Sequence, residues 1–155
     1  MRGKQSPKRN IPADPIYNSV LVSKFINYVM YDGKKKTAAN IVYAAIEDLN
    51  KKTKTNGIEA LEKALENVKP KIEVKSRRVG GANFQVPVPV NSTRQVSLAF
   101  RWLLEGARAS RKNTEFYVVL ARELINAYNK EGTAIKKKDD IHRMAEANKA
   151  FAQFA

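Results

Sequence analysis

Cysteine is absent, histidine occurs once, as His142, and acids are scarce: 15 Asp plus Glu stand against 29 Lys plus Arg in 155 residues. Without cysteine there is no disulfide framework, no thiolate metal site and no thiol nucleophile, and one histidine cannot build a multi-histidine metal centre. Long apolar runs are missing as well. One of the longest, from Phe116 to Ala121, falls far short of the ~20 residues that cross a bilayer. The basic stretch from Met1 to Arg9 leads into polar, proline-containing sequence instead of a signal-peptide core. These absences predict a soluble, intracellular protein that needs no cofactor. Neither a GxxxxGK phosphate loop nor a GxGxxG fingerprint occurs, so the common nucleotide-binding loops are not available. What the chain has in excess is positive charge, formally +14, the balance of a polyanion binder. With 43% hydrophobic residues, a chain of this length fills one core and buries roughly 70% of the surface its unfolded form exposes. A single domain is expected.

Residues 1–13 carry Arg2, Lys4, Lys8 and Arg9 with no acid, together with Gly3, Pro7 and Pro12. Such a segment lacks the apolar content and the periodicity to fold alone, and reads as a basic arm that orders on a partner. The remainder, 14–155, reads as one mainly α-helical domain of about six helices with an inserted β-hairpin at about 72–90.

The helices are written in apolar residues at helical spacing. Val22, Phe25, Ile26, Val29 and Met30 form the first stripe, ended by Asp32-Gly33; Ala38, Val42, Ala45 and Leu49 form the second. Thr55 and Asn56 are cap candidates for a third, through Ile58, Leu61, Leu65 and Val68, which stops at Pro70. Asn91-Ser92-Thr93 offers caps for a fourth, with Val96, Ala99, Phe100, Leu103 and Ala107 inward. Asn113-Thr114 with Glu115 opens a fifth, striped by Phe116, Tyr117, Leu120, Leu124 and Tyr128. Gly132 separates a sixth with Ile141, Met144 and Ala145 inward. The apolar tail residues Phe151 and Phe154 predict docking on another surface.

Between the third and fourth helices the period changes to two. Ile72 and Val74 alternate with Glu73 and Lys75; beyond Gly80-Gly81, Phe84, Val86, Val88 and Val90 alternate with Gln85, Pro87 and Pro89. Pro87 and Pro89 lack amide donors on one edge, which must be the outer one, and they block pairing with a further strand. Ile72, Val74, Val86 and Val88 are expected to form one apolar face that packs on the helical body only near the hairpin base. The tip is then left projecting and contributes little to the fold. Phe84 is read as packed with Val86 and Val88 rather than as a base-stacking residue.

Basic residues gather in the arm, at Lys34-Lys35-Lys36, from Lys69 to Arg78 including Lys75, on the fourth helix and at Lys136-Lys137-Lys138; the third helix, with Glu59, Glu62 and Glu66 against Lys63, is acidic. Charge runs are ordinarily solvated faces, so placement has to carry the argument. On the fourth helix Arg94, Arg101 and Arg108 recur every seven residues, which at 100° per residue drifts only about 20° per step and spans roughly 21 Å of axis. Leu103 lies roughly opposite. Glu105 is the only acid between Asn91 and Thr114, so the stripe has few partners on its own helix, and Arg111 and Lys112 extend it. Arginine suits bidentate phosphate contact, and we read the stripe as phosphate-binding. The tip Arg77-Arg78-Val79-Gly80-Gly81 is an ordinary turn sequence that also projects two guanidiniums. The other Tyr and Phe residues fall on core stripes, which predicts no aromatic platform, and Trp102 sits at the boundary between core and surface. Asp139-Asp140 has the form of a carboxylate pair but follows three lysines and more simply balances them. His142, beside Arg143, suits a surface or RNA-contacting role at least as well as a general base.

These residues together resemble one family, the bacterial form of small-subunit ribosomal protein seven, the universal uS7 family, over nearly the whole chain. The resemblance rests on Ser19-Val20-Leu21, Phe25-Ile26, Gly33-Lys34-Lys35 and Ile41-Val42-Tyr43-Ala44-Ala45 in the first two helices. The hairpin carries it from Val74-Lys75-Ser76-Arg77-Arg78-Val79-Gly80-Gly81 to Gln85-Val86-Pro87-Val88. The C-terminal part carries it in Gly132-Thr133-Ala134 and in the run from His142 to Phe151. The resemblance implies a helical body with a projecting β-hairpin and a structural role in the small ribosomal subunit. It further implies binding to the 3′ major domain of small-subunit ribosomal RNA that nucleates folding of the head, with neighbouring head and platform proteins. The hairpin tip, Arg77 to Gly81, would lie near exit-site tRNA and the messenger path. RNA contacts carried over by the resemblance fall on Arg2, Gly3, Lys4, Lys8, Arg9, Lys34, Lys35, Lys36, Lys75, Arg77, Arg78, Arg94, Arg101, Arg108, Arg111, Lys112, Lys136, Lys137, Lys138 and Arg143.

Two other classes stay in view. A basic body with a β-arm also suits an architectural DNA-binding protein, although such arms wedge an apolar residue between base steps and this tip offers Arg-Arg-Val-Gly-Gly. A nuclease would use Asp139, Asp140 and His142 and would show magnesium-dependent cleavage.

Overall fold

The computed structural model describes Gly3 and residues 9–154, so the expectations placed on Arg2, Lys4 and Lys8 lie outside the described residues. Six α-helices and one hairpin follow the expected order: α1 Val20–Val29, α2 Lys35–Thr53, α3 Gly57–Val68, β1 Ile72–Val79, β2 Ala82–Pro89, α4 Ser92–Ala109, α5 Phe116–Tyr128 and α6 Thr133–Ala147, with a closing 3₁₀ helix Lys149–Phe154. No helix among the described residues is long and apolar enough to cross a membrane.

The caps read from sequence do their expected work at two helix starts. The Asn56 side chain accepts from the Ile58 amide at 3.2 Å, and Asn91 accepts from the Arg94 amide at 2.9 Å, satisfying donors that the first turn leaves unpaired. Helix α5 runs through the middle of the bundle, against α2, α3, α4 and α6, which is why its sequence is apolar over most of its circumference. Leu120 and Leu124 of α5, Val42 and Leu49 of α2, Leu61 and Leu65 of α3, Leu103 of α4 and Val22 of α1 are all fully buried, and Phe25 stacks on Phe100 with centroids 4.9 Å apart. Trp102 falls on the core side, 6% exposed.

Helix α6 departs from expectation at one position. Met144 is half exposed, while Ala134, Ile141 and Ala145 face the body. Those three residues and Lys138 fall within roughly 60° on the wheel, and Met144 lies well off that arc.

Two buried carboxylates, neither singled out from the sequence, fix local geometry. Asp14 accepts from the amides of Ile16 (3.1 Å) and Tyr17 (3.0 Å) and from the Tyr43 hydroxyl of α2 at 2.6 Å. It thereby pins the root of the arm to the body. Burial first, then the hydrogen bond to Asp14, pushes the Tyr43 hydroxyl up to about 12. Glu123 of α5, 5% exposed, accepts from the Ala134 amide at 3.0 Å, placing an anion at the positive end of α6. Gly132 enters that helix at φ 93°, and a Cβ there would meet Asn126 Cβ at 2.9 Å and Glu123 Oε1 at 3.2 Å, so glycine is required on both counts.

The hairpin corrects the sequence reading most. Gly80 and Gly81 take φ 56° and 92°, the two-residue turn expected. That turn fixes Val79 opposite Ala82, Lys75 opposite Val86 and Val74 opposite Pro87. Cross-strand partners share a face. Phe84, Val86 and Val88 therefore lie with Glu73, Lys75 and Arg77, while Ile72 and Val74 lie with Pro89 and Pro87, and the expected single apolar face does not exist. The first of these faces packs on the body: Val86 is fully buried, and the Phe84 ring sits 5.1 Å from that of Phe151. Phe151 thus finds the docking surface the tail was expected to have; the side chain of Phe154 lies outside the described ones. Packing extends well past the base, so the hairpin is part of the fold out to the Arg77–Phe84 pair. Only the tip beyond it, Arg78 to Asn83, is exposed throughout.

Candidate nucleic-acid interface

The predicted cations divide into those engaged within the protein and those left to solvent. Arg94 Nε donates to both carboxylate oxygens of Glu73, at 2.9 and 2.7 Å, and Lys75 Nζ lies 3.1 Å from the same carboxylate. Glu73, which alternates with the apolar residues of β1, is 8% exposed. It ties the hairpin base to α4. Lys137 Nζ reaches Glu105 of α4 at 2.5 Å, Lys138 Nζ donates to the Asn67 carbonyl of α3 at 2.7 Å, and Arg143 pairs with Asp140 at 3.5 Å. Lys137 and Lys138 brace α6 against α4 and α3, whereas the Arg143–Asp140 pair lies within α6 itself.

Burial alone would raise the Glu73 carboxyl, but the hydrogen bonds and charges of Arg94 and Lys75 outweigh it and hold the group below its usual 4.5. A carboxylate with a lowered folded value stabilises the fold above its unfolded value and loses that contribution as pH falls through the lowered one. Thermal melts of the parent chain should therefore lose stability from about pH 4.5 downward more steeply than those of Glu73→Gln. At pH 7, Arg94→Ala should cost about 1–3 kcal/mol by leaving the carboxylate without its main donor. Parallel acid profiles for parent and Glu73→Gln would refute this pivot.

The other basic residues have no carboxylate partner among the described residues: Lys34, Lys35, Lys36, Arg78, Arg101, Arg108, Arg111, Lys112 and Lys136, all exposed. The fold brings many of them together. Lys35 and Lys36, at the start of α2, line a depression with Pro12, Ala13 and Asp14, where the arm leaves the body. The α1–α2 turn, held by Lys34 N–H donating to the Tyr31 carbonyl at 2.9 Å, then meets the end of α4. There Val29, Tyr31 and Ile41 face Arg108, Arg111 and Phe116 across a cleft. Arg108 also borders a second depression with Tyr28, Arg101 and Leu104. The arm root, Lys34 to Lys36, Arg101 and Arg108 of α4 and the turn after α4 thus form one basic tract, which leaves out Arg94. Arg77 and Arg78 stand apart from it on the hairpin.

The absence of aromatics expected from the sequence is corrected along this tract. Tyr31 is 67% exposed, with the Arg108 guanidinium 5.1 Å from its ring centroid, and Arg111 lies 6.0 Å from that of Phe116. Tyr31 sits one residue beyond the first apolar stripe, a position that the helical pattern does not describe. Its signal was simply an aromatic outside every core stripe.

Of the residues a nuclease would use, Asp139 and His142 border one depression, beside Lys138, but Asp140 does not join them. Asp139 lies near Lys138, 3.9 Å away, and Asp140 near Arg143. His142 Nε2 accepts from the Lys71 amide at 3.2 Å, which joins α6 to the start of β1 and requires that nitrogen to be unprotonated. Burial, then the charge of Lys138, depresses the ring below its usual value despite the opposing charge of Asp139. Among the described residues no three His, Asp or Glu side chains gather where they could hold a metal ion.

Comparison with known proteins supplies the family. The family profile described as ribosomal protein S7p/S5e matches residues 1–149. Relatives named small ribosomal subunit protein uS7 include that of Thermosipho africanus, 56% identical over 154 residues and 99% of each chain. Another, from Maridesulfovibrio salexigens, is 59% identical over 148 residues, 96% of this chain and 94% of its own. A profile match over nearly the whole chain, joined to identity above one half at full length, places the chain in the ribosomal protein S7p/S5e family, whose members are structural constituents of the small ribosomal subunit and not enzymes.

Proposed function

We propose that the chain binds the 3′ major domain of small-subunit ribosomal RNA, nucleates folding of the head, and holds its hairpin tip near exit-site tRNA and the messenger path. The observation that carries the RNA reading is the basic tract, without carboxylate partners among the described residues, from the arm root through Lys34, Lys35 and Lys36 to Arg101, Arg108 and Arg111. Its cations sit on helix starts, helix ends and a rigid helix face, so phosphates meet preformed donors. Phosphate neutralisation of this kind releases counterions and requires no chemistry from the protein. Footprinting on a head-domain RNA fragment, with duplex DNA as competitor, tests the assignment. Protection of a multi-helix junction that excess DNA does not erase is expected. Equal competition by DNA would instead favour an architectural DNA-binding protein.

The tip supports a separate role because its packing stops at Phe84. Removing Arg78, Val79, Ala82 and Asn83 lets Gly80-Gly81 close directly on the Arg77–Phe84 pair without changing the pairing parity. The shortened chain should unfold within about 0.5 kcal/mol of the parent, as surface changes do, and should retain most affinity for the RNA fragment. Subunits carrying it should assemble but hold exit-site tRNA less well. Failed assembly together with a destabilised free protein would place the tip in the core of the fold.

A further inference from the structure

The cleft between the α1–α2 turn and the end of α4 has features that phosphate binding alone does not use. Its floor is apolar, with Val29 buried and Ile41 half-buried, and its volume is about 580 Å³, within the roughly 300–1,000 Å³ of small-ligand sites. On its rim Tyr31 keeps 67% of its surface in solvent although Arg108 already covers part of the ring from 5.1 Å. The guanidinium fixes the ring's orientation and leaves aromatic surface open. Phe116, with Arg111 6.0 Å from its centroid, borders the same cleft. The single acid there, Glu115, interacts with the Tyr117 hydroxyl, and among the described residues it makes no ion pair with either arginine.

Double-helical RNA can offer the two arginines its phosphates but gives Tyr31 and the apolar floor nothing, because its base faces are stacked inside and only phosphates, 2′-hydroxyls and base edges reach a protein surface. An unstacked base offers both a π-face for Tyr31 and apolar area for the cleft floor, and its flanking phosphates fall beside Arg108 and Arg111. Arg108 also borders the depression that holds Arg101, so the strand leaving the cleft runs directly onto the α4 stripe. We propose that this cleft is a single-nucleotide site, in which one unpaired RNA base stacks on Tyr31 while Arg108 and Arg111 hold the phosphates on either side. The proposal rests on the RNA-binding reading above and adds to it a class of ligand, a flipped-out or loop nucleotide.

The test compares Tyr31→Ala and Tyr31→Phe with the parent on two probes, a head-domain ribosomal RNA fragment with its unpaired junction nucleotides and a blunt RNA duplex of equal length. Tyr31→Ala should weaken binding to the fragment by roughly 5- to 150-fold, the range for loss of one base–aromatic stack. It should leave duplex affinity, the salt dependence and the melting temperature as in the parent. Tyr31→Phe, which keeps the ring, should bind the fragment within a few-fold of the parent. Chemical probing of base edges should show one unpaired nucleotide protected by the parent and reactive with Tyr31→Ala. Parent-like fragment binding by Tyr31→Ala would overturn the site while leaving the RNA reading intact. Equal losses on fragment and duplex would also overturn it, since the ring would then act only through Arg108. If the parent itself fails to bind the fragment, the RNA reading falls and the nucleotide site with it.

Discussion

Leu103→Ala should cost roughly 2–5 kcal/mol of stability, a fall in melting temperature of about 5–15 °C for a chain of this size, and should leave RNA affinity intact at temperatures where the protein stays folded. Leu103 is fully buried in the middle of α4, beside Phe100 and Ala107, which are also fully buried. Truncation there removes contact area and opens a cavity that helices packed on several sides cannot collapse to fill. Arg101, two residues earlier, is exposed and has no carboxylate partner among the described residues. Arg101→Ala should do the reverse, weakening RNA binding with a change in stability within about 0.5 kcal/mol. Melting curves and RNA titrations on the same two variants check both halves. If Arg101→Ala lowers the melting temperature as far as Leu103→Ala does, the two faces of α4 are not separate in the way the burial pattern requires.

Those two faces were legible in the sequence because each depends on one helix alone. The arginines recur with the apolar residues' own period, and a repeat of seven keeps both stripes on their sides whatever the helix packs against. The caps Asn56 and Asn91 were legible for the same reason, since a cap and its amide lie within a few residues of each other. The hairpin faces could also have been read: once Gly80-Gly81 is taken as a two-residue turn, Val79 must oppose Ala82, and the parity of every later pair follows. Counting apolar residues along each strand separately missed this, because alternation reveals which residues share a side within a strand but nothing about the partner strand.

What stayed hidden were side chains whose environment is made by distant residues. Glu73 occupies a polar slot in an alternating strand and becomes buried only because Arg94, 21 positions later in the chain, arrives to meet it. Glu123 lies in an apolar helix where a carboxylate has no local explanation; its partner is the first turn of α6. Tyr31 and Arg108 come together across the α1–α4 junction, which no periodicity encodes. The same logic sorts the basic residues. Composition predicted a polyanion binder, but only packing separates Arg94 and Lys138, engaged with Glu73 and Asn67, from Arg101 and Arg108, which are left for a partner.

That sorting sets the largest expected effect, the dependence of RNA affinity on salt. If roughly eight phosphates are neutralised by the tract and the tip, the slope of log K against log salt should lie near −6 to −7, a loss of about 10⁴ in affinity between 50 and 200 mM. Each cation that truly contacts a phosphate contributes a little under one unit to that slope. Arg101→Ala and Arg111→Ala should therefore each make the slope shallower by about 0.7–0.9. Lys138→Ala should leave it near the parent value, because its largely covered ammonium is turned to the Asn67 carbonyl, with the Asp139 carboxylate 3.9 Å away. Titrations of a head-domain RNA fragment over that salt range decide the matter. A parent slope shallower than about −2 would mean that the basic clusters are mostly solvated surface. An equal decrement from Lys138→Ala and Arg101→Ala would mean that the internal hydrogen bonds of α6 break when RNA binds and that its lysines belong to the interface after all.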